Sequence, residues 1–526
     1  MRSTMMVRRS YDGLKRGVFL MLSGIPALML LGCGAPPNGA PGGSEEIVAE
    51  AAQSLTLQDH VAICNQDPRV TLGLVPLNVC VGADLFFREP FGGNGRTCGS
   101  CHPAANNYTI DPTFIATLPA SDKLFVAEQA PALAQLEKPQ LMRQFGLILE
   151  NVDGTQDPTN KFVMRSVPHC FSLGTSVTAQ AVPTDGTTRP PNERTGWSGD
   201  GAPNAGELRD FQTGAIMQHY TQSLGRVSGT DFVLATSDEL DRIVAFTSTI
   251  GRTNELTLTS VSLTDANAEA GRVTYLSAAA RCNGCHNNAG ANVAAAFNRN
   301  FNTGVERARL ATLNTQGIPF DAGFGAGTTF NFDANGDGIN DSFGNGTFNT
   351  PPLIEAADTG PFFHTNAFTT IEDAITFYTT SAFAQSPAGA GNAIPLTATD
   401  IANLGKFLRV LNVAFNAQLA MARITAVVAI IDGVQNQSLA VQNTLLALAQ
   451  AEVQDAIDDL SPFALLNLSA RIQLTVARSF LTSAMSQTLA PLRRSFATTA
   501  LNNITTANAS MGAGLTFTMG KGTLMF

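Results

Sequence analysis

Two stretches of the chain carry the same spacing of apolar positions. In SDELDRIVAFTSTI, from Ser237, the side chains of Leu240, Ile243, Phe246 and Ile250 fall at i, i+3, i+6 and i+10. In ATDIANLGKFLRVL, from Ala398, those of Ile401, Leu404, Phe407 and Leu411 fall in step with them. This spacing puts four apolar groups on one face of an amphipathic helix. The chain therefore predicts one closing helix used twice, and the surrounding segments repeat with it. VGADLFFREPFGGNGRTCGSCH in the first half matches EAGRVTYLSAAARCNGCH in the second, an apolar helical stretch leading into a turn. TGWSGDG, from Thr195, corresponds to TGPFFHTN, from Thr359. A short helix follows each, in GELRDFQTGAIMQHY and in TTIEDAITFY.

Beyond the repeat, residues from about Val413 to Phe496 are rich in Ala, Leu, Gln and Ile. TLLALAQAEVQDAIDDL and ALLNLSARIQLTVARSFLTSAM have helical periodicity, which predicts two to four amphipathic helices packed on the repeated units or forming a homodimer contact. The tail after Asn502, with its Gly and Thr, predicts irregular structure. At the other end, Arg8, Arg9, Lys15 and Arg16 precede the apolar stretch GVFLMLSGIPALMLL, the pattern of an export signal. It ends in Leu30-Leu31-Gly32-Cys33, which resembles a bacterial lipobox and so implies cleavage before Cys33 and its diacylation. The alternative is a plain secretory signal with a chance cysteine. The Gly/Pro-rich residues that follow predict a flexible tether. No other stretch reaches the roughly 18 apolar residues of a spanning helix. The expectation is a protein in the periplasm or at the cell surface, held to a bacterial membrane by lipid alone.

The 526 residues exceed one core and suggest two or three domains. A net charge of −10 argues against nucleic acid, which requires clustered Lys and Arg. It leaves room for steering a basic redox partner. Of the eight cysteines, Cys64 and Cys80 bracket a short loop and suit a disulfide in an oxidising compartment. Cys170 has no evident partner.

Four cysteines carry the chemistry. TCGSCH sets Cys98, Cys101 and His102 together, and RCNGCH does the same for Cys282, Cys285 and His286. Two thiols three residues apart on one helical turn reach the two vinyl groups of a haem, and the adjoining histidine lies under the iron. A zinc site made from two Cys-x-x-Cys pairs is the competing reading. It accounts neither for a histidine at the same offset twice nor for the export signal.

The stretch NTPPLIEAADTGPFFHTNAFTTIEDAITFY, from Asn349 to Tyr378, resembles the second-haem signature of the dihaem cytochrome c peroxidase and MauG family. There a Pro-Tyr/Phe-Phe-His-Asp-Gly turn precedes a Leu-Glu-Glu-Ala helix; here Thr365-Asn366 replaces the Asp-Gly. The similarity spans about residues 80 to 415. It implies a mainly α fold: two tandem cytochrome c-like haem domains plus a C-terminal helical extension. The expected layout is a signal peptide at 1–32, a tether at 33–55, haem domains at 56–262 and 263–415, and a helical extension with an irregular tail at 416–526.

The resemblance also assigns roles. Tyr378 occupies the position of the second ligand of the C-terminal haem, methionine in the peroxidases and tyrosine in MauG-like members, unless it only packs in a core helix. Gln212 falls where the family has a pocket glutamine. No carboxylate stands near His219 to Thr221, where the family's catalytic glutamate would lie. The internal repeat sets His219 opposite Tyr378, so His219 is an acid–base group, an iron ligand or a surface residue. Trp197 is either an inter-haem electron relay or a core residue. His364 either bonds a haem propionate or fixes its turn, and His169 lies near the haem edge; His60 has no assigned role. Asp333, Asn335, Asp337 and Asp341, in DANGDGIND, resemble an oxygen-ligand calcium loop, although Gly344 stands where its bidentate glutamate is expected. The plain alternative is a polar turn.

Three functions remain open. One is a peroxidase that reduces hydrogen peroxide with electrons from a small cytochrome or cupredoxin. The second is a MauG-like or oxygenase-like enzyme that oxidises a protein or organic substrate, which Tyr378 favours. The third is a non-enzymatic two-haem carrier, with His219 and Tyr378 both as ligands.

Overall fold

The structure, a computed structural model, describes residues 54–151, 161–178, 193–199, 206–325, 330–463 and 465–526. Cys33, the export segment, most of the tether and Asp200 lie outside the described residues. The fold is mainly α, with few strands.

The sequence repeat appears as two equivalent helix crossings. In the first half α1 (Leu57–Asn65), α2 (Leu77–Arg88), α3 (Leu208–His219) and α4 (Ser237–Thr247) surround the first turn. In the second, α5 (Ala266–Leu276), α6 (Ile371–Phe377) and α7 (Ala398–Val434) surround the other. Helix α2 packs on α4 and α5 packs on α7. A glycine sits at each crossing: a Cβ on Gly82 would lie 1.8 Å from the Arg242 carbonyl oxygen, and one on Gly271 would lie 2.1 Å from that of Asn403. Phe246 and Phe407, paired by the repeat, complete the two crossings and are fully buried. Both closing helices start from a Thr capping box, Thr236 with Glu239 and Thr397 with Asp400. Of the eight apolar positions expected on the closing faces, only Ile401 is not buried.

A disulfide between Cys64 and Cys80, 16 residues apart, ties α1 to α2. His60 reinforces the joint, with Nδ1 2.7 Å from Asp84 Oδ2 and Nε2 3.3 Å from Glu89 Oε2. Burial alone would lower its pKa, but the two carboxylates outweigh burial and raise it to about 9. Replacing both cysteines by alanine is expected to cost about 3 kcal/mol, from the closure entropy of the loop. Denaturant midpoints of the two proteins without reductant measure the loss; equal midpoints would refute a stabilising bridge.

Helix α7 runs unbroken through residue 415, where the family similarity is expected to end. By length and hydropathy it is one helix long and apolar enough to cross a membrane, which corrects the expectation that no stretch after the export signal qualifies. Its most apolar window is 72% buried, so here it is a core helix. On it pack α8 (Leu439–Leu460) and α10 (Ala490–Met511), and α9 (Leu468–Ser486) packs on both of these. The tail differs from expectation, because α10 continues to Met511. Ala500, Ile504, Ala507 and Met511 bury one face, and that packing overrides the weak helix propensity of the intervening Thr and Asn residues.

Beyond Met511 the chain returns to the first half. Gly512–Ala513 pairs antiparallel with Ser262–Leu263. Arg69 binds the carbonyls of Leu524 and Met525. The Phe526 ring sits 4.6 Å from Phe87, and Tyr108 Oη donates to the Phe526 carbonyl at 3.2 Å.

The added helices bring carboxylates inside. Asp358 Oδ2 accepts from Asn416 Nδ2 at 2.8 Å, whereas Asp358 Oδ1 and Asp459 Oδ2 are buried without partners. Desolvation first, and then nearby carboxylates, push both acids well above the usual carboxylate range. Folded-state pKa values above the unfolded ones mean that the native state holds extra protons, so stability declines as pH rises from about 4 toward the folded values. Asp459→Asn is expected to raise neutral-pH stability by about 1–3 kcal/mol and to change little near pH 4. Thermal unfolding at both pH values tests this, and a neutral-pH loss would contradict it.

Two small sheets complete the frame. Leu147–Glu150 pairs antiparallel with Val163–Ser166. Ser342–Asn349 lies between Asn300–Phe301, antiparallel, and Phe320–Gly323, parallel.

Candidate functional site

Each Cys-x-x-Cys segment forms a single helical turn, Cys98–Cys101 and Cys282–Cys285, with all four thiols outside any disulfide. Thr97 and Ser100 cap the first turn reciprocally. The histidine after each turn is fixed by a main-chain carbonyl. His102 Nδ1 lies 2.9 Å from the Tyr108 oxygen, and His286 Nδ1 lies 2.9 Å from the Pro351 oxygen. Such a bond assigns the proton to Nδ1 and leaves Nε2 as the lone-pair donor, the tautomer an iron ligand requires. Burial lowers both imidazoles to about 4, so both are neutral near pH 7. The sequence-stated alternative of a shared zinc site finds no support: among the described residues, the one group of three or more His, Cys, Asp or Glu able to hold an ion is Asp333, Asp337 and Asp341.

One cavity lies against the first turn and extends toward the loop that supports the second. Cys98, Cys101 and His102 form part of its wall, and α3 lays Gln212, Ala215 and His219 along another part. Gln212 Oε1 is buried without a partner, although its Nε2 reaches Thr247 Oγ1 at 3.4 Å. The His219 ring has no hydrogen-bond partner among the described residues. Burial, and then Arg96, Arg226 and His102, lower its pKa to about 3. His219 therefore belongs to an interior wall and is neutral, able to receive a proton.

Trp197 joins the same cavity. Its Nε1 donates to the Ser166 carbonyl at 2.9 Å, and its ring centre lies 6.4 Å from that of His364. Asn349 links this turn to the second site: its backbone N–H donates to the Trp197 carbonyl at 2.8 Å, two residues before the Pro351 carbonyl that holds His286. His169 also lines the cavity, with Nδ1 buried and unpartnered. Cys170, without an evident partner in sequence, places Sγ 3.3 Å from His102 Nδ1.

His364 is buried in its turn. Its Nε2 is 2.9 Å from Glu306 Oε2, its ring stacks on Phe348 at 4.0 Å, and its carbonyl receives the Ser166 N–H. Tyr378 is the C-cap of α6, whereas His219 is the last helical residue of α3 and Tyr220 its C-cap. The Tyr378 ring packs 5.1 Å from Phe383. Burial raises its pKa first, with Cys285 and Cys282 adding to the effect, which places the phenol on the side of the second turn.

The acidic loop closes on itself. Asp333, Asp337 and Asp341 bring carboxylate oxygens within 4.8 Å of one another, but Asn335 turns its amide nitrogen toward Asp337 at 3.1 Å and Asp341 at 2.7 Å. Asp333 accepts the backbone N–H groups of Gly336, Asp337 and Gly338.

Several wall residues were not visible in sequence. Arg96 is buried on Glu137 Oε1 at 2.8 Å and on the Leu124 carbonyl. Tyr220 Oη donates to Cys98 Sγ at 3.1 Å. Glu150, bonded to Arg165 at 2.9 Å, is the carboxylate on the cavity wall. No residue-type pattern marks them, because the contacts join segments tens of residues apart.

No protein-family model matches the chain, and no curated protein does. Among the solved structures similar at low identity are two redox proteins. One is a MauG-like protein associated with microbial copper homeostasis, at 17% identity over 63% of this chain and 87% of that one, with a TM-score of 0.35. The other is hydrazine synthase from Kuenenia stuttgartiensis, at 16% identity over 73% of this chain and 99% of that one, with a TM-score of 0.31.

Proposed function

We propose that the chain is an exported, lipid-anchored, two-haem c-type enzyme that reduces hydrogen peroxide with electrons from a small cytochrome or cupredoxin. The observation that carries this reading is the duplicated arrangement in which a Cys-x-x-Cys turn precedes a neutral histidine whose Nδ1 is held by a backbone carbonyl. Cys98, Cys101 and His102 would hold one haem, and Cys282, Cys285 and His286 the other. When bound, haem supplies iron centres that pass electrons from donor to peroxide.

The protein's own share is proton handling and positioning. His219, neutral and without a partner, accepts a proton from peroxide and returns it to the departing oxygen. Gln212 Oε1 accepts the second O–H and orients the molecule. Two electrons and two protons then convert one peroxide to two waters. Trp197, tied to both halves through Ser166 and Asn349, would serve as the relay between the two haems.

Tyr378 supports a second reading, in which an oxygen ligand at the second haem favours oxidised states and the enzyme acts on a protein or organic substrate. Pyridine haemochrome assay with intact mass is expected to return two thioether-bound haems per chain; fewer would end both readings. Stopped-flow mixing with peroxide and a reduced cytochrome separates them. Sustained donor oxidation supports peroxide reduction, whereas a long-lived oxidised spectrum without donor turnover supports the second.

A further inference from the structure

The loop that leads into the first thiol turn grips the end of α3. Asn94 lies four residues before Cys98, and its backbone N–H and both ends of its side chain serve this joint. The N–H donates to the Tyr220 carbonyl at 2.7 Å. Nδ2 donates to the His219 carbonyl at 2.9 Å and to the Thr221 carbonyl at 2.8 Å. Oδ1 accepts the Arg96 N–H at 3.0 Å, which orients the amide with its nitrogen toward α3. Carbonyls at the end of a helix lack partners within it, and one residue here holds three in succession. The backbone beside Asn94 approaches just as closely, since a Cβ on Gly93 would lie 2.1 Å from the Tyr220 carbonyl oxygen. Tyr220 Oη closes the unit by donating to Cys98 Sγ at 3.1 Å.

This joint bears on the imidazole of His219. The ring makes no hydrogen bond among the described residues, so its backbone and its packing alone aim it into the cavity. That backbone is tied through Asn94 to the loop that continues into Cys98 and Cys101 on the same cavity wall. The group that handles the proton and the turn that carries the first haem thus share one reference point. The second half is built differently. Four residues before Cys282 stands Ala278, which has no side-chain amide. The Tyr378 carbonyl there receives the Ile394 N–H, from a segment that lies well past the thiol turn in sequence.

We propose that Asn94 is a positioning residue that sets the place of the His219 imidazole over the first haem by tying the end of α3 to the turn that carries that haem. The proposal rests on the acid–base reading of His219 and deepens it. Proton transfer tolerates little displacement, and a misplacement of about 1 Å can cost about a hundredfold in rate. Single-turnover mixing of the haem-loaded full chain with hydrogen peroxide, followed at the first haem, is compared for four proteins: wild type, Asn94→Ala, His219→Ala and the double variant. Asn94→Ala is expected to slow the reaction at least about tenfold. On the His219→Ala background the same change is expected to add less than about twofold, because no base is left to misplace. A purely structural Asn94 would slow both backgrounds by the same factor. That additive result, or an unaltered rate for Asn94→Ala, overturns the proposal. Asn94→Asp keeps the acceptor for the Arg96 N–H but turns an oxygen on the His219 and Thr221 carbonyls, and it carries the same test where Asn94→Ala does not retain two haems. The His219→Ala arm tells the two failures apart. An unaltered rate there ends the acid–base reading and this proposal with it, whereas a slowed rate with additive Asn94 effects ends the positioning role alone.

Discussion

Replacing His219 by alanine is expected to lower peroxide-dependent donor oxidation by about 10²–10⁴-fold while leaving two haems on each chain. The size follows from the role: a positioned base contributes that much, and no other side chain that α3 lays on the cavity wall titrates. Gln212 does not titrate, and the cavity-wall carboxylate, Glu150, is already bonded to Arg165. A pKa near 3 keeps the imidazole unprotonated through the neutral range. Steady-state rates at matched haem content measure the effect. The visible spectrum decides a further point, because a change of spin state at the first haem on losing the imidazole would show that His219 also coordinates iron. An unaltered rate would remove it from the chemistry.

Gly82→Ala and Gly271→Ala are expected to be the most damaging single substitutions for the fold, each costing about 3 kcal/mol or more. In both, the new methyl would press on a carbonyl oxygen of the crossing helix, at 1.8 Å and 2.1 Å. A backbone carbonyl within a helix cannot swing aside as a side chain can. The helices must separate, and Phe246 or Phe407 then loses its packing. Chemical denaturation gives the cost, and native-like midpoints for either protein would contradict the tight crossing. The damage should also be local in its first effect, with each variant impairing haem retention mainly in its own half.

Part of these crossings was legible in the chain. The repeat set Phe246 in step with Phe407, and the Cys-x-x-Cys-His turns stood out because thioether chemistry dictates both residue type and spacing, whereas the matching places of Gly82 and Gly271 emerged only from the structure. The faces of the closing helices were equally readable, since burial follows the 3.6-residue period. The carbonyls of Tyr108 and Pro351, which fix the two histidines, were not, because every residue has a carbonyl and only the fold selects one. The same holds for Glu150 and Arg96, which reach the cavity through long-range packing. The last turns of α10 were hidden for a different reason: their Thr and Asn content favours irregular structure, and a buried stripe against neighbouring helices reverses that preference.

The return of the chain to Phe87 and Tyr108 sets an order of assembly. Tyr108 fixes His102 through its carbonyl, yet its own hydroxyl is held by a residue 418 positions later. The amino-terminal half therefore cannot mature as a finished module while the rest is being synthesised, as domains commonly do. Its last brace arrives only with residue 526, and a fragment ending before α10 is left with an open seam beside its first histidine.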